Sequence, residues 1–367
     1  MSSRTQIKIK QLAVITVAWL VVGLLMSIYD HLVLLTNNSQ GLSADYSFAL
    51  SLSMNLTSAV IGSMLGGSLL VFYVNVKYLD KPYGYTLLFV ATAFIMVILI
   101  IIVVIAMMSI PIKTGKPFTD EVSREALKTF LMDSSRAKNT MIWSIVVLLT
   151  QLLLQVNTKF GQGTLGNIIS GKYHTPKEEN KIFMFLDLDS STSIAEQLGD
   201  EKYHELLKDF FADITNPILD NKGEIYQYVG DEVVVAWNYR VGIKNNQCIR
   251  CFFDIKQQIQ QNKEKYLKRY GFIPNFKGGI HCGKVVAGEI GIIKREITYS
   301  GDVLNTTSRI LSMCKNFGAE IITSSNLFTG LKLDDSYAMT PLGTIKLRGK
   351  EKEVTLSAIT QMNILTC

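Results

Sequence analysis

A chain of 367 residues with 48% hydrophobic content and a formal net charge of +6 is long enough for a membrane region plus one globular domain. The charge surplus is modest and contains no Lys/Arg block interleaved with aromatics, which argues against a nucleic-acid partner and for basic residues beside a membrane. Five cysteines, an odd number without framework spacing (Cys248, Cys251, Cys282, Cys314 and Cys367), exclude a disulfide scaffold and suit a reducing cytosol.

Up to about residue 160 long apolar runs carry almost no charge, whereas from Lys172 onward charged residues recur every few positions, as on a water-facing surface. Four apolar stretches, roughly 12–35, 53–76, 85–110 and 141–157, are long enough to consider as spans. Arg4, Lys8 and Lys10 before the first, Lys77 and Lys81 between the second and third, and Lys159 and Lys172 after the fourth place both ends on the cytoplasmic side. The 36–52 connection has no Lys or Arg, but the 111–140 connection carries Lys113, Lys116, Arg124, Lys128, Arg136 and Lys138 and conflicts with that orientation. The N-terminal stretch lacks a small-residue cleavage site and is expected to be a retained span. An integral membrane protein in a bilayer, with a bacterial inner membrane as its expected location, follows from this half.

Three features of this half invite a role. Asp30 and His31 interrupt the first run near its outer end, where solvation at the headgroup boundary is the simplest expectation and a ligand site the sharper one. Gly62-x-x-x-Gly66 beside Ser63-x-x-x-Gly67 gives a small-residue face for close helix approach, within the bundle or across a dimer. In 119–135, Thr119 is the expected N-cap of an interfacial helix with Val122, Ala126 and Phe130 at helical spacing.

The domain plan is therefore a membrane region over 1–157, a Gly/Lys/Glu-rich cytoplasmic connector over 158–179 and a water-facing globular domain over 180–362. IFMFLDL has strand length, GDEKYHELLKDFFADITNPILD is an amphipathic helix with an apolar face of Tyr203, Leu206, Leu207, Phe210, Phe211 and Ile214, and GEIYQYVGDEVVVAW turns at Val229-Gly230-Asp231. A second helix, carrying Cys248 and Cys251 as buried residues, then a strand, a hairpin and a further helix complete β-α-β-β-α-β. The expected fold class is α+β, a ferredoxin-like sheet with helices on one face, preceded by an α-helical transmembrane bundle.

Asp187 ends a fully apolar strand and Asp231 sits at a hairpin tip after Gly230. Each alone could be a turn or cap residue. If their strands are neighbours, the carboxylates converge into a hard-oxygen site suited to Mg²⁺ or Mn²⁺. Asn305 and Arg309, four apart, project an amide and a guanidinium from one helix face.

At these residues the sequence resembles the class III nucleotidyl cyclases, over about 180–360: FLDLDSST is similar to the first metal motif, VGDEVVVAW to the second, GIHCGKVVAGEIG to the glycine-rich strand–turn and GDVLNTTSR to the transition-state helix. The resemblance implies two divalent cations per site, Mg²⁺ or Mn²⁺, held by Asp187 and Asp231 with the backbone carbonyl of Leu188. It also implies backbone amides of Asp189, Ser190, Ser191, Thr192 and Ser193 on the triphosphate, Asn305 orienting the ribose, Arg309 stabilising charge on the α-phosphate, and Arg348 or Lys350 on the terminal phosphates. Base choice falls to Gln227 and Thr298. Thr298 fits adenine, while Gln227 departs from both the usual Lys and the usual Glu and can donate or accept. In the family the metal pair and the Asn/Arg pair of one site come from different chains, so a homodimer is implied. The expected function is a membrane-anchored adenylate cyclase acting on ATP; the alternatives are a guanylate or pyrimidine nucleotide cyclase, or a catalytically silent nucleotide-binding receptor.

Overall fold

The computed structural model describes residues 3–36, 48–78, 81–117, 119–132, 134–161, 166–167, 170–293, 295–348 and 352–362. Lys350, Cys367 and most of the 36–52 connection lie outside them, as do the side chains of Lys113, Phe130, Arg136 and Lys159. The chain divides into one unit over Thr5–Gly161 and another comprising Met1–Arg4 with Gln162–Cys367.

The first unit is helical. Among the described residues, three helices are long and apolar enough to cross a membrane: Ser3–Thr36, Ser51–Lys77 and Ala137–Thr158. The expected third stretch falls in a helix over Tyr83–Thr114 that ends on Gly115 in the left-handed conformation. Its described apolar part, Tyr83–Leu99, is shorter than the other three. The second helix widens into π turns over Ser63–Gly67 and Leu69–Val74. That is where the small-residue face is used, inside the bundle: a Cβ on Gly66 would stand 2.9 Å from Phe94, and one on Gly67 3.1 Å from Leu12. Two expectations are corrected. Asp120, not Thr119, caps the helix Glu121–Leu131, its carboxylate accepting the Val122 N–H at 2.9 Å. Asp30 is not merely solvated: Lys138 meets it at 2.5 Å, so one of the basic residues at odds with the charge rule is neutralised by an acid 108 positions away.

The second unit is built on one mixed sheet. Its strands are β1 (Lys177–Leu188), β2 (Glu224–Val229), β3 (Glu232–Asn238), β4 (Phe276–Ile290), β5 (Glu296–Ser300), β6 (Ile321–Ser324), β7 (Tyr337–Ile345) and β8 (Val354–Gln361). The order is β2-β3-β1-β4-β6-β8-β7, with β5 paired to the far half of β4. The expected β-α-β-β-α-β unit is β1 to β4, with β1 central and antiparallel to both β3 and β4. Strand alternation turns Ile182, Met184, Leu186 and Leu188 to one face. There they are buried with Leu206, Phe210 and Ile214 of the helix Asp200–Asp220 and with Ile249, Phe252 and Ile255 of the helix Gln247–Gln261. Each such side chain stabilises the domain by about 1.5–3 kcal/mol. Cys248 and Cys251 are buried in the same core.

The expectation of helices on one face only also fails. The helix Asp302–Phe317 covers the other face, where Val303, Leu304 and Leu311 pack with Phe183, Phe185 and Val285. Two adjacent glycines of β4 make room for both layers: a Cβ on Gly278 would reach Phe252 at 2.9 Å, and one on Gly279 would reach the Leu311 backbone nitrogen at 2.5 Å. Period-two alternation means that no larger residue fits at either position without moving a helix.

Candidate active site

Asp187 lies at the end of β1, opposite Glu232 of β3. Asp231 completes the two-residue turn between Val229 and Glu232, with Gly230 at φ 63° supplying a conformation that a β-carbon disfavours. The turn folds Asp231 back onto the strand end, close enough for its carboxyl group to act on that of Asp187. Burial is the largest influence on Asp187 and the Asp231 hydrogen bond and charge the next, with Glu232 and Asp189 adding to them; together they push its pKa up to about 7. Burial and Asp231 also raise Glu232.

The donor set fits a hard divalent ion. Among the described residues no group of three or more His, Cys, Asp or Glu side chains is arranged to hold a metal. Two carboxylates, with remaining positions left to backbone oxygen, water and phosphate, is how Mg²⁺ is commonly bound, whereas a full side-chain cage would suit Zn²⁺ or Ca²⁺ better. Leu188, whose carbonyl is the third expected donor, has its side chain buried at the strand end.

Beyond β1 the chain turns through Ser190, at φ 60° and ψ 31°, into the helix Ser191–Leu198. The first hydrogen bond of this helix runs from Ile194 N–H to the Ser190 carbonyl at 3.1 Å, so the amides of Ser191, Thr192 and Ser193 precede the bonded run. Asp189 is different: its N–H donates to the Asn275 carbonyl at 2.9 Å, and its carboxylate pairs with Lys277 at 2.8 Å. Its amide is committed to the fold, which corrects the expectation that it faces a triphosphate.

Lys277 and Tyr203 are parts of the site that motif reasoning missed. Lys277 stands opposite Asp187 in the β1–β4 register. Tyr203, expected only as core, packs partly into the core but hydrogen-bonds Ser191, and burial with the charges of Asp231 and Asp187 pushes its hydroxyl up. Neither had a local signal, because the register of β4 and the rotation of the Asp200–Asp220 helix are set by distant contacts.

Asn305 is exposed and Arg309 half-buried on the helix Asp302–Phe317, one turn apart. They lie on the helix that packs over Phe183, Phe185 and Val285 on the second face of the sheet. Gln227 is exposed on β2, Thr298 half-buried on β5, and Arg348 exposed beyond β7. Tyr226 and Tyr299, their chain neighbours, are in direct contact, the Tyr226 hydroxyl accepting the Tyr299 N–H at 3.3 Å.

Comparison with known proteins agrees with this architecture. "Adenylate cyclase 2" of Rhizobium meliloti (strain 1021) is 34% identical over 208 residues, 57% of this chain and 57% of that protein. "Adenylate cyclase 1" of the same organism is 28% identical over 172 residues, 46% of this chain and 25% of that one. The chain thus spans little more than half, or less, of the relatives' own lengths. The structure of a bacterial light-regulated adenylyl cyclase shares the fold, with a TM-score of 0.53 at 18% identity over 64% of this chain and 68% of that chain. The family model "Adenylate and Guanylate cyclase catalytic domain" matches residues 173–359. On that match over half its length, this chain belongs to the adenylate and guanylate cyclase catalytic domain family.

Proposed function

We propose that this protein is an adenylate cyclase anchored in a membrane by four spans, its N-terminus and catalytic domain both cytoplasmic, and active as a homodimer. One observation carries the reading: Asp187 and Asp231 come together at the end of a buried strand beside a helix N-terminus. The relatives described as adenylate cyclases support ATP as the substrate.

In this reaction the ribose 3′-hydroxyl gives its proton to water as its oxygen bonds to the α-phosphorus, the bond from that phosphorus to the bridging oxygen breaks, and pyrophosphate leaves with the electron pair. Asp187 and Asp231 would hold two divalent cations, Mg²⁺ or Mn²⁺, with the Leu188 carbonyl. Such cations acidify the 3′-hydroxyl and offset phosphate charge. Ser191, Thr192 and Ser193 offer their amides to the triphosphate at the positive end of a helix. Lys277 draws the Asp189 carboxylate aside and so keeps one negative charge from the triphosphate's path. Asn305 orients the ribose and Arg309 meets charge building on the α-phosphate, where preorganised donors act most strongly. The resemblance to this family supports Asn305 and Arg309 acting on the metal pair of a second subunit. Arg348 reaches the terminal phosphates, and Gln227 with Thr298 reads the base.

The test is a product assay on purified full-length protein with Mn²⁺ and each of the four nucleoside triphosphates. Cyclic AMP forming fastest is expected. Cyclic GMP in excess would replace the base assignment, and no cyclic product from any triphosphate would end the enzymatic reading in favour of a silent nucleotide-binding receptor.

A further inference from the structure

In sheet order β2 and β5 stand four steps apart, through β3, β1 and β4. No ladder hydrogen bond joins them, because β5 pairs with the far half of β4. Yet these strands carry Gln227 and Thr298. A β-bulge lies between them and regular pairing: Ile225 faces Val235 and Gln227 faces the next residue, Val234, leaving Tyr226 as the extra residue. Freed from the ladder, the Tyr226 ring lies across the sheet face, 6.4 Å from Phe183 of β1 and 5.0 Å from Tyr299 of β5. Tyr299 also packs on Phe183 at 5.4 Å, edge to face. The Tyr226 hydroxyl then accepts the Tyr299 N–H at 3.3 Å, an N–H that belongs to the peptide unit shared with Thr298.

We propose that Tyr226 is a specificity-positioning residue, whose hydroxyl fixes the spacing between Gln227 and Thr298 and thereby the preference for adenine over guanine. This rests on those two residues reading the base. A lysine or glutamate at position 227 would discriminate by charge at any nearby distance. A glutamine presents a donor and an acceptor on one amide, so its choice depends on where the base edge is held relative to the second contact. The bulge supplies that control: it turns Tyr226 toward Tyr299 while its neighbour Gln227 stays exposed.

The test compares wild type, Tyr226→Phe and Gln227→Ala as full-length protein with Mn²⁺, measuring kcat and KM for ATP and GTP together with thermal melting. Tyr226→Phe keeps the ring and removes the hydroxyl. Loss of one neutral hydrogen bond is expected to raise KM for ATP and lower the ATP:GTP ratio of kcat/KM about three- to tenfold, with kcat at saturating ATP nearly unchanged. A lower melting temperature with equal losses for both nucleotides would mean a purely structural tyrosine and overturn the proposal. If Gln227→Ala shifts the ratio and Tyr226→Phe does not, the clasp is wrong while the base assignment stands; if neither shifts it, both fail. Absence of cyclase activity in the wild type would instead refute the proposed function.

Discussion

The carboxyl groups of Asp187 and Asp231 lie close together across the end of β1 and the β2–β3 turn, with Glu232 and Asp189 adding negative charge around Asp187. Two acids in contact at a half-buried strand end are a source of instability that a divalent cation relieves. Each property expected of the site follows from that contact, from base recognition or from the helix Asp302–Phe317.

The first concerns pH and metal. Asp187 titrates at about 7 in the fold against an ordinary value of 3.8. Its folded-state value is raised, so its contribution favours the fold below about pH 4 and is lost as pH rises through about 7. Without divalent cation, Asp187→Asn should therefore melt several degrees above wild type at pH 8 and little differently at pH 4. Added Mn²⁺ should raise wild-type melting more at pH 8 than at pH 5.5 and leave Asp187→Asn unmoved. An equal Mn²⁺ effect on both proteins would show that the ion binds elsewhere.

Arg309→Ala should lower kcat about 10²–10³-fold with little change in melting, the usual cost of deleting a preorganised transition-state donor. Asp187→Ala should be at least as damaging. Mixed in equal amounts under conditions that allow subunit exchange, the two should recover about a quarter of wild-type activity, since half the dimers are mixed and each mixed dimer keeps one intact site of two. Activity that stays at the level of the separate variants would rule out a site shared between subunits.

Gln227→Glu replaces an amide that can donate by a carboxylate that only accepts. Adenine N1 then loses a donor and guanine N1–H gains a charged acceptor, so the ATP:GTP ratio of kcat/KM should fall by about tenfold or more. Initial rates on both nucleotides decide it, and an unchanged ratio would remove Gln227 from base recognition.

Gly279→Ala tests the second helical layer. The added carbon would meet the Leu311 backbone nitrogen at 2.5 Å. The helix Asp302–Phe317 must move to accept it, at a cost of about 1–3 kcal/mol. Both melting temperature and kcat should fall, because the same helix carries Asn305 and Arg309. Wild-type stability would mean that the layer is loosely packed.

Much of this site is legible in local sequence. A strand of alternating buried residues that ends in aspartate, and a Gly-Asp turn after another strand, place Asp187 and Asp231 by rules operating over a few residues; the four-residue spacing of Asn305 and Arg309 does the same on a helix. Lys277 beside Asp189, the Tyr203 hydroxyl beside Ser191 and the Asp30–Lys138 pair had no such signal. Their partners are separated by 88, 12 and 108 positions, the middle pair lying on different helices.

The sequence alone therefore determined the alternation of a membrane-like half with an α+β half, the strand and helix periods of the latter, and the chemical types gathered in its motifs, since these depend on nearest neighbours along the chain. Tertiary structure decided which face the last long helix covers, that Asp189 spends its amide on Asn275, and that a bulge turns Tyr226 across the sheet to Tyr299. Register and layer packing are fixed by the whole core at once, and a shift of one residue in any strand would exchange every side chain between its two faces.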